Sequence, residues 1–226
     1  MEALVGMYDS TVVILERELW KAFYETAIML VISITFSTVV GMLMGLYLYL
    51  TSHEYFNKNK LANNIIGWTV NIIRSIPFIV LVVFSLPLTF LITGSKIGPI
   101  AAAVPLSIAA TALFARIVES SLRGVNSGVL EAALAQGASN WLIIREVLLV
   151  EAAPAIVRGI TIITINLIAF SAMAGMVGGG GVGNLAIQYG YYRYETGVMF
   201  FIIVTMVIAV QIIQFGGDKI ARALEH

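Results

Sequence analysis

Hydrophobic residues run in long unbroken stretches with short polar segments between them. Thr26 to Leu50 carries no charge. At about 1.5 Å per helical residue it slightly exceeds a ~30 Å hydrocarbon core, so the pattern predicts a tilted span over 26–50. Comparable stretches predict further spans at 75–93, 97–115, 159–178 and 196–217, five in all, in an all-α transmembrane fold. The uncharged run from Gly159 to Tyr192 is too long for one simple crossing, and its glycines, Gly175 to Gly183, mark a span end opening into irregular chain. Non-helical backbone at membrane depth is tolerated only where it is buried in protein or lines a cavity, so the fourth span is expected to line a pathway.

Finer pattern adds detail between the spans. Leu61, Ile65, Trp68 and Ile72 fall on one helical stripe, opposite Asn63, Asn64, Asn71 and Arg74. This predicts an interfacial amphipathic helix, because a span starting at Leu61 would carry Arg74 into the bilayer at a cost of ~2.5 kcal/mol or more. Pro77 suits a first turn, whereas Pro87 and Pro105 should kink the second and third spans. Gly41 and Gly45 form a GxxxG, the pattern of close helix packing. Ahead of the first span lies a mixed, net acidic segment, in which Asp9 or Ser10 is expected to cap a short leading helix.

The polar exception is residues 127–154, between the third and fourth spans. Asn126 or Ser127 caps a short helix there, and Glu131 falls in its early turns, where a carboxylate suits the helix dipole. Ala132, Ala133 and Ala135 keep that helix narrow, and Gly137 is placed to end it in the left-handed conformation. Ser139 or Asn140 then starts a second helix with an apolar face, beside which sit Arg145 and Glu146. A narrow helix and tight turn can enter a cleft on another protein. The same residues also suit an amphipathic hairpin lying on the membrane.

Composition narrows the class. Hydrophobic residues make up 59% and charged residues 12% of the 226-residue chain, against about 25% charged in an average soluble domain, which makes it an integral membrane protein. Zero formal net charge offers no electrostatic case for nucleic acid. Cysteine is absent, excluding disulfides and thiol chemistry. No removable signal peptide is expected at the N-terminus, and residues 224–226 are assigned no function. With the polar insertion inside, Lys58, Lys60, Arg74, Arg116, Arg123, Arg145, Arg158, Lys219 and Arg222 face the cytoplasm, against Arg17, Lys21, Lys96 and Arg193 outside. The bias predicts an external N-terminus and a cytoplasmic C-terminus.

Candidate chemistry is sparse. Gly178 to Gly183 satisfies GxGxxG formally, but it follows a span and lacks a ribose-binding acid about 20 residues on, so no dinucleotide site is expected. No GxxxxGK[ST] occurs, so the chain is not expected to bind ATP, or any cofactor, itself. The two histidines, His53 and His226, have no partner for catalysis, and no metal site is expected. Within the fourth span, Asn166, Ser171 and Met173 are candidates to face the pathway, Met173 because its flexible thioether can plug a narrow pore. Tyr189, Tyr191, Tyr192 and Tyr194 read as an interfacial aromatic belt.

Glu131-Ala132-Ala133, three residues, Gly137, nine residues, then Val147-Leu148-Leu149 resembles the EAA motif of ABC importer permeases, EAA-x3-G-x9-I-x-L-P. Val150 replaces its final proline, and Pro154 is expected to supply the helix break. The likeness implies that Glu131 to Gly137, with Arg145 nearby, form the coupling helix that docks on an ATP-binding subunit. Ile73 to Ile79, Ser171-Ala172-Met173 with the glycine run, Gln188 to Tyr191 and Gln214 to Asp218 further resemble the methionine importer permeases. That resemblance covers roughly residues 20–222. It implies a single permease domain in a homodimer in the bacterial inner membrane, two ATPase subunits that use the ATP, and an extracytoplasmic solute-binding lipoprotein landing near Tyr189, Tyr191 and Tyr192. A permease for another small amino acid, or an ATPase-independent channel or scaffold, are the alternatives.

Overall fold

The computed structural model describes residues 2–56 and 58–225, with side chains from residue 11 onward, and every regular element among them is helical. His226 lies outside the described residues.

Helix α1 runs unbroken from Glu2 to Ser52. No helix start therefore falls at Asp9 or Ser10, whose side chains lie outside the described set. The apolar part that qualifies as a membrane crossing covers 42 residues, Thr11–Ser52, roughly twice the length a bilayer core needs, so one end of α1 projects beyond it. The expected span 26–50 is the inner portion of this helix.

Helix α2, Lys60–Ser75, starts where Asn59 Oδ1 accepts the Ala62 N–H, and it ends before Pro77. It meets helix α3, Phe78–Phe84, at 106°, so it lies across the bundle as an interfacial helix would. Of its polar side Asn63 reaches inward, donating to the Leu48 carbonyl at 2.7 Å and to Thr51 Oγ1 at 3.0 Å, while Asn64, Asn71 and Arg74 are exposed. Gly67 and Val70 are buried. Leu61, Ile65, Trp68 and Ile72 point away from the bundle and are exposed, the reverse of a soluble protein and the arrangement an apolar solvent favours. Helix α3 is followed by helix α4, Leu86–Thr93, the two separated at Ser85 and together covering the expected span 75–93. Pro87 thus occupies the first turn of α4, where its missing N–H costs nothing.

Helix α5, Pro99–Arg123, is the centre of the bundle. It continues past Arg116, the expected end of the third span, for two further turns, and Pro105 lies within it. Close approach explains its burial. A Cβ on Gly45 would stand 2.5 Å from the Ala115 carbonyl oxygen and 2.6 Å from Val118 Cβ, while one on Gly41 would stand 3.0 Å from the Phe114 ring. The GxxxG therefore seats α1 directly on α5. From the other side Gly159 does the same for the fourth crossing, with Ile117 Cγ2 2.5 Å from its virtual Cβ.

Helix α6, Ser127–Ala135, is followed by α7, Asn140–Leu142, a wide π turn, Ile143–Leu148, and α8, Leu149–Ala174. These last three form one uninterrupted rod, so Pro154 does not break the helix and the fourth crossing does not begin afresh at Gly159. Ala152 and Ile156, one on each side of Pro154, are buried in the core around Phe114, Val118 and Leu122, and this packing holds the helix through the proline.

Beyond α8 the chain reverses through Val177 and Gly178, with φ at Gly178 of 95° and at Gly180 of 76°. It returns as α9, Gly181–Leu185, and wide turns over Ala186–Tyr191, which account for the surplus length of the uncharged stretch. Helix α10, Thr196–Ala223, then packs peripherally on α8 and passes the expected limit at Gly217. Among the described residues four helices are long and apolar enough to cross a membrane, and the bent pair α2–α3 is a fifth candidate.

Gly45→Ala is expected to cost about 1–3 kcal/mol through overpacking, whereas Gly216→Ala, with nothing within 4 Å of its virtual Cβ, should be neutral. Thermal unfolding of both variants in one detergent checks this. Equal midpoints would show that α1 and α5 do not pack as described.

Candidate coupling surface and pathway

The polar insertion is stapled at both ends by its own sequence. Asn126 Oδ1 accepts the Gly128 N–H at 2.8 Å and opens α6. At the other end the Ala138 N–H bonds the Ala133 carbonyl at 3.1 Å and the Gly137 N–H bonds that of Leu134 at 2.9 Å, the paired closure of a Schellman cap. Gly137 adopts φ 77°, as the sequence predicts. Ser139 Oγ accepts the Leu142 N–H and starts the next helix.

Leu130 buries its side chain in the main core, with Ala133 and Leu134 half-buried beside it. The opposite face, Val129, Glu131, Ala132, Ala135 and Gln136, is exposed, and so are Gly137, Trp141 and Leu142 beyond the turn. Trp141 is 69% exposed. Small side chains flanked by a bare indole form a shallow apolar surface of the kind that marks a protein interface. Glu131 does not serve the helix dipole, since it is fifth in a nine-residue helix. Its carboxylate instead accepts the Tyr55 phenol at 3.2 Å, linking α6 to the segment after α1. That hydrogen bond, with the charge of Glu131 behind it, raises the Tyr55 pKa above its ordinary value. Arg145 is exposed and pairs with Glu146 at 3.1 Å.

A second polar assembly, invisible as such in the sequence, sits behind this surface. Glu119 is buried on α5 between Arg116 Nη1 at 2.6 Å and Arg123 Nη2 at 3.0 Å. Arg116 Nη2 also donates to the Gly67 carbonyl and Asn71 Oδ1 of α2, and Arg123 Nη2 to Ser52 Oγ at the end of α1. Three helices thus meet on one carboxylate. The i, i+3 and i, i+4 spacing of Arg116, Glu119 and Arg123 was the available signal. Arg158 and Glu225 join the base of α8 to the end of α10 at the same end of the bundle.

Along α8, Ile162, Asn166, Ala169 and Met173 fall on one stripe at spacings of four, three and four, exposed except for the half-buried Asn166, and the exposed Met176 follows just beyond the helix. Asn166 is half-buried, donates to the Ile162 carbonyl at 2.9 Å and lines a cavity of about 390 Å³ among α2, α3, α5 and α8. Met173 is 40% exposed. Ser171 is not on that stripe: it is buried and donates to the Ile168 carbonyl of its own helix, so it packs instead of facing a pathway. A larger cavity, about 690 Å³, adjoins near the polar insertion between α5 and the start of α8.

At the opposite end, Glu25 Oε2 accepts the Gly181 N–H at 2.7 Å and Thr26 Oγ1 that of Val182 at 2.9 Å, so α1 caps the returning helix α9. Glu25 lies just outside the uncharged run that defined the first span, which is why its role was not read there. Tyr189 is half-buried, its ring 4.5 Å beneath the Arg193 guanidinium. Tyr191 and Tyr192 are exposed and in edge contact, and Tyr194 is more exposed still. His53 sits in a loop among Tyr49, Tyr55 and Phe56.

Comparison with known proteins agrees along most of the chain. Residues 37–226 match the family described as binding-protein-dependent transport system inner membrane component. The probable D-methionine transport system permease protein MetI of Vibrio cholerae is 43% identical over 208 residues, 92% of each chain. The methionine import system permease protein MetP of Bacillus subtilis is 44% identical, covering 92% of this chain and 94% of that one. Among solved structures, the MetNI methionine ABC transporter in inward-facing conformations superposes with a TM-score of 0.89 at 41% identity, covering 94% of this chain and 98% of that one. The crystal structure of an amino acid ABC transporter with histidines shares the fold at a TM-score of 0.73 and 18% identity, over 97% of both chains.

Proposed function

The chain belongs to the family of binding-protein-dependent transport system inner membrane components, and from that footing we propose that it is the methionine-importing permease of a homodimeric ABC transporter. The observation that carries the reading is the capped α6 turn, with its exposed small-residue face and its fixed attachment to the bundle. Two ATP-binding subunits dock there, on Glu131, Ala132, Ala133, Ala135 and Gly137, with Arg145 at the edge, and they alone bind and hydrolyse ATP. The relatives named as methionine permeases support the cargo.

In this reading five crossings put the termini on opposite sides, and the bias of Lys and Arg supports a cytoplasmic coupling surface and an external N-terminus. Tyr55, Ser52, Arg123, α6, Arg158 and Glu225 gather at the end assigned to the cytoplasm. Glu25, Gly98, Gly178 and α9 gather at the other, where the Gly98 N–H bonds the Gly178 carbonyl. On that outer end the exposed Tyr191 and Tyr192, with Tyr189 beneath them, receive an extracytoplasmic solute-binding lipoprotein. ATP binding draws the two α6 turns together, and the rods from Asn140 onward carry the motion to the α8 stripe. There Asn166 faces the cargo and the two copies of Met173 close the path.

Coexpression with the neighbouring ATPase gene and native mass spectrometry are expected to show two permeases with two ATPases, lost in Gly137→Pro, whose fixed φ near −65° cannot meet the required 77°. A permease-only species in several detergents would contradict the docking. In vesicles containing the wild-type complex, ATP and binding protein should drive methionine uptake, and Met173→Ala should raise leak without them. Unchanged leak would remove Met173 from the gate.

A further inference from the structure

Three arginines approach the inner end of the pathway, and two are already occupied. Arg116 and Arg123 are committed to the buried Glu119. Arg74, the last charged residue of α2, is exposed and has no hydrogen-bond or ion-pair partner among the described residues. It lines both the 690 Å³ cavity and the 390 Å³ one, and so does Leu113. Glu151, in the first turn of α8, is likewise unpaired among the described residues and lines the larger cavity. Both volumes fall within the range of small-molecule pockets, about 300–1,000 Å³.

The walls give these charges their meaning. Around Arg74 the smaller cavity is apolar, with Leu81, Ala109, Leu113 and Phe170, and the Phe170 ring is stacked on Phe78 at 4.5 Å. Asn166 is its one amide. Arg74 and Glu151 are both exposed toward the adjoining cavities, so this cation and anion suit a ligand that carries both signs, and the apolar walls strengthen its attraction to them. An apolar lobe beside them suits a small uncharged side chain.

We propose that these cavities form a binding site, within the permease itself, for a zwitterionic apolar amino acid, with Arg74 taking its carboxylate, Glu151 its ammonium group, and the Leu81–Phe170 lobe its side chain. The guanidinium fork matches a carboxylate in two parallel hydrogen bonds. The site rests on the reading of the chain as an amino-acid permease, and it gives the permease its own selectivity after release from the binding protein.

Equilibrium binding of radiolabelled methionine to the intact permease–ATPase complex, without nucleotide or binding protein, tests it. Saturable binding is expected, with N-acetylmethionine and methionine amide, each lacking one charge, competing at least about tenfold less well than methionine. Arg74→Gln should weaken binding by about tenfold or more while leaving the complex mass unchanged, and Arg74→Lys should restore part of it. Glu151→Gln should weaken methionine binding and leave that of N-acetylmethionine unaltered, which keeps the test open if Arg74→Gln fails to assemble. Equal affinity in both variants, or no saturable binding by a wild-type complex that imports methionine in vesicles, would overturn the site. A wild-type complex that imports no amino acid with binding protein and ATP present would sink the permease reading beneath it, so the two failures are separable.

Discussion

Backbone-to-backbone approach of α1 and α8 onto α5 is the constraint from which the rest of the bundle follows. In an apolar solvent the hydrophobic effect does not drive helices together, and dense packing between small residues has to supply the association. Gly41 and Gly45 on one side and Gly159 on the other bring α5 within contact of both neighbours. Once α5 is enclosed, its lower end can bury Glu119 only if both arginines pair with it, and they in turn fix the end of α1 and the crossing angle of α2. A buried carboxylate with two partners contributes more to fixing this arrangement than to net stability.

Long-range communication has a material route in the same frame. The α6 turn is joined to α1 through Glu131 and Tyr55 and to the core through Leu130. Beyond Gly137 a single helical rod runs from Asn140 to Ala174, and past the reversal at Val177 and Gly178 the start of α9 is held by Glu25 and Thr26 of α1. A displacement at the coupling surface is therefore applied to a stiff element, and the glycine-rich reversal at its far end is the flexible joint. Met173 and Asn166 lie on that rod between the two ends. Under the proposed function this is how ATP binding in one protein moves a constriction in another.

Much of this was legible in the order of residues. Uncharged length marked the long apolar helices, the GxxxG gave the α1 packing, and Asn126, Gly137 and Ser139 gave the capped α6 turn, because capping is set by residues a few positions apart. Misreadings arose where distant contacts decide. Pro154 stays helical because Ala152 and Ile156 are held in the core. Ser171 turns inward, since a helix position alone does not say which side meets a neighbour. The α2 stripe was visible, yet which side of the helix meets the bundle depends on distant contacts such as Asn63 reaching Leu48. Arg116, Glu119 and Arg123 counted only as charges until the fold brought α1 and α2 to them.

The absence of cysteine makes the decisive measurement accessible. Ala132→Cys, on the exposed face of α6, is spin-labelled in the assembled transporter in lipid, and the distance between the two copies is measured by pulsed electron resonance with and without a non-hydrolysable ATP analogue. If α6 carries the motion of the ATPases, the distance shortens on nucleotide binding and recovers when nucleotide is removed. An unchanged distance in a transporter that still imports methionine would contradict the coupling role of this turn.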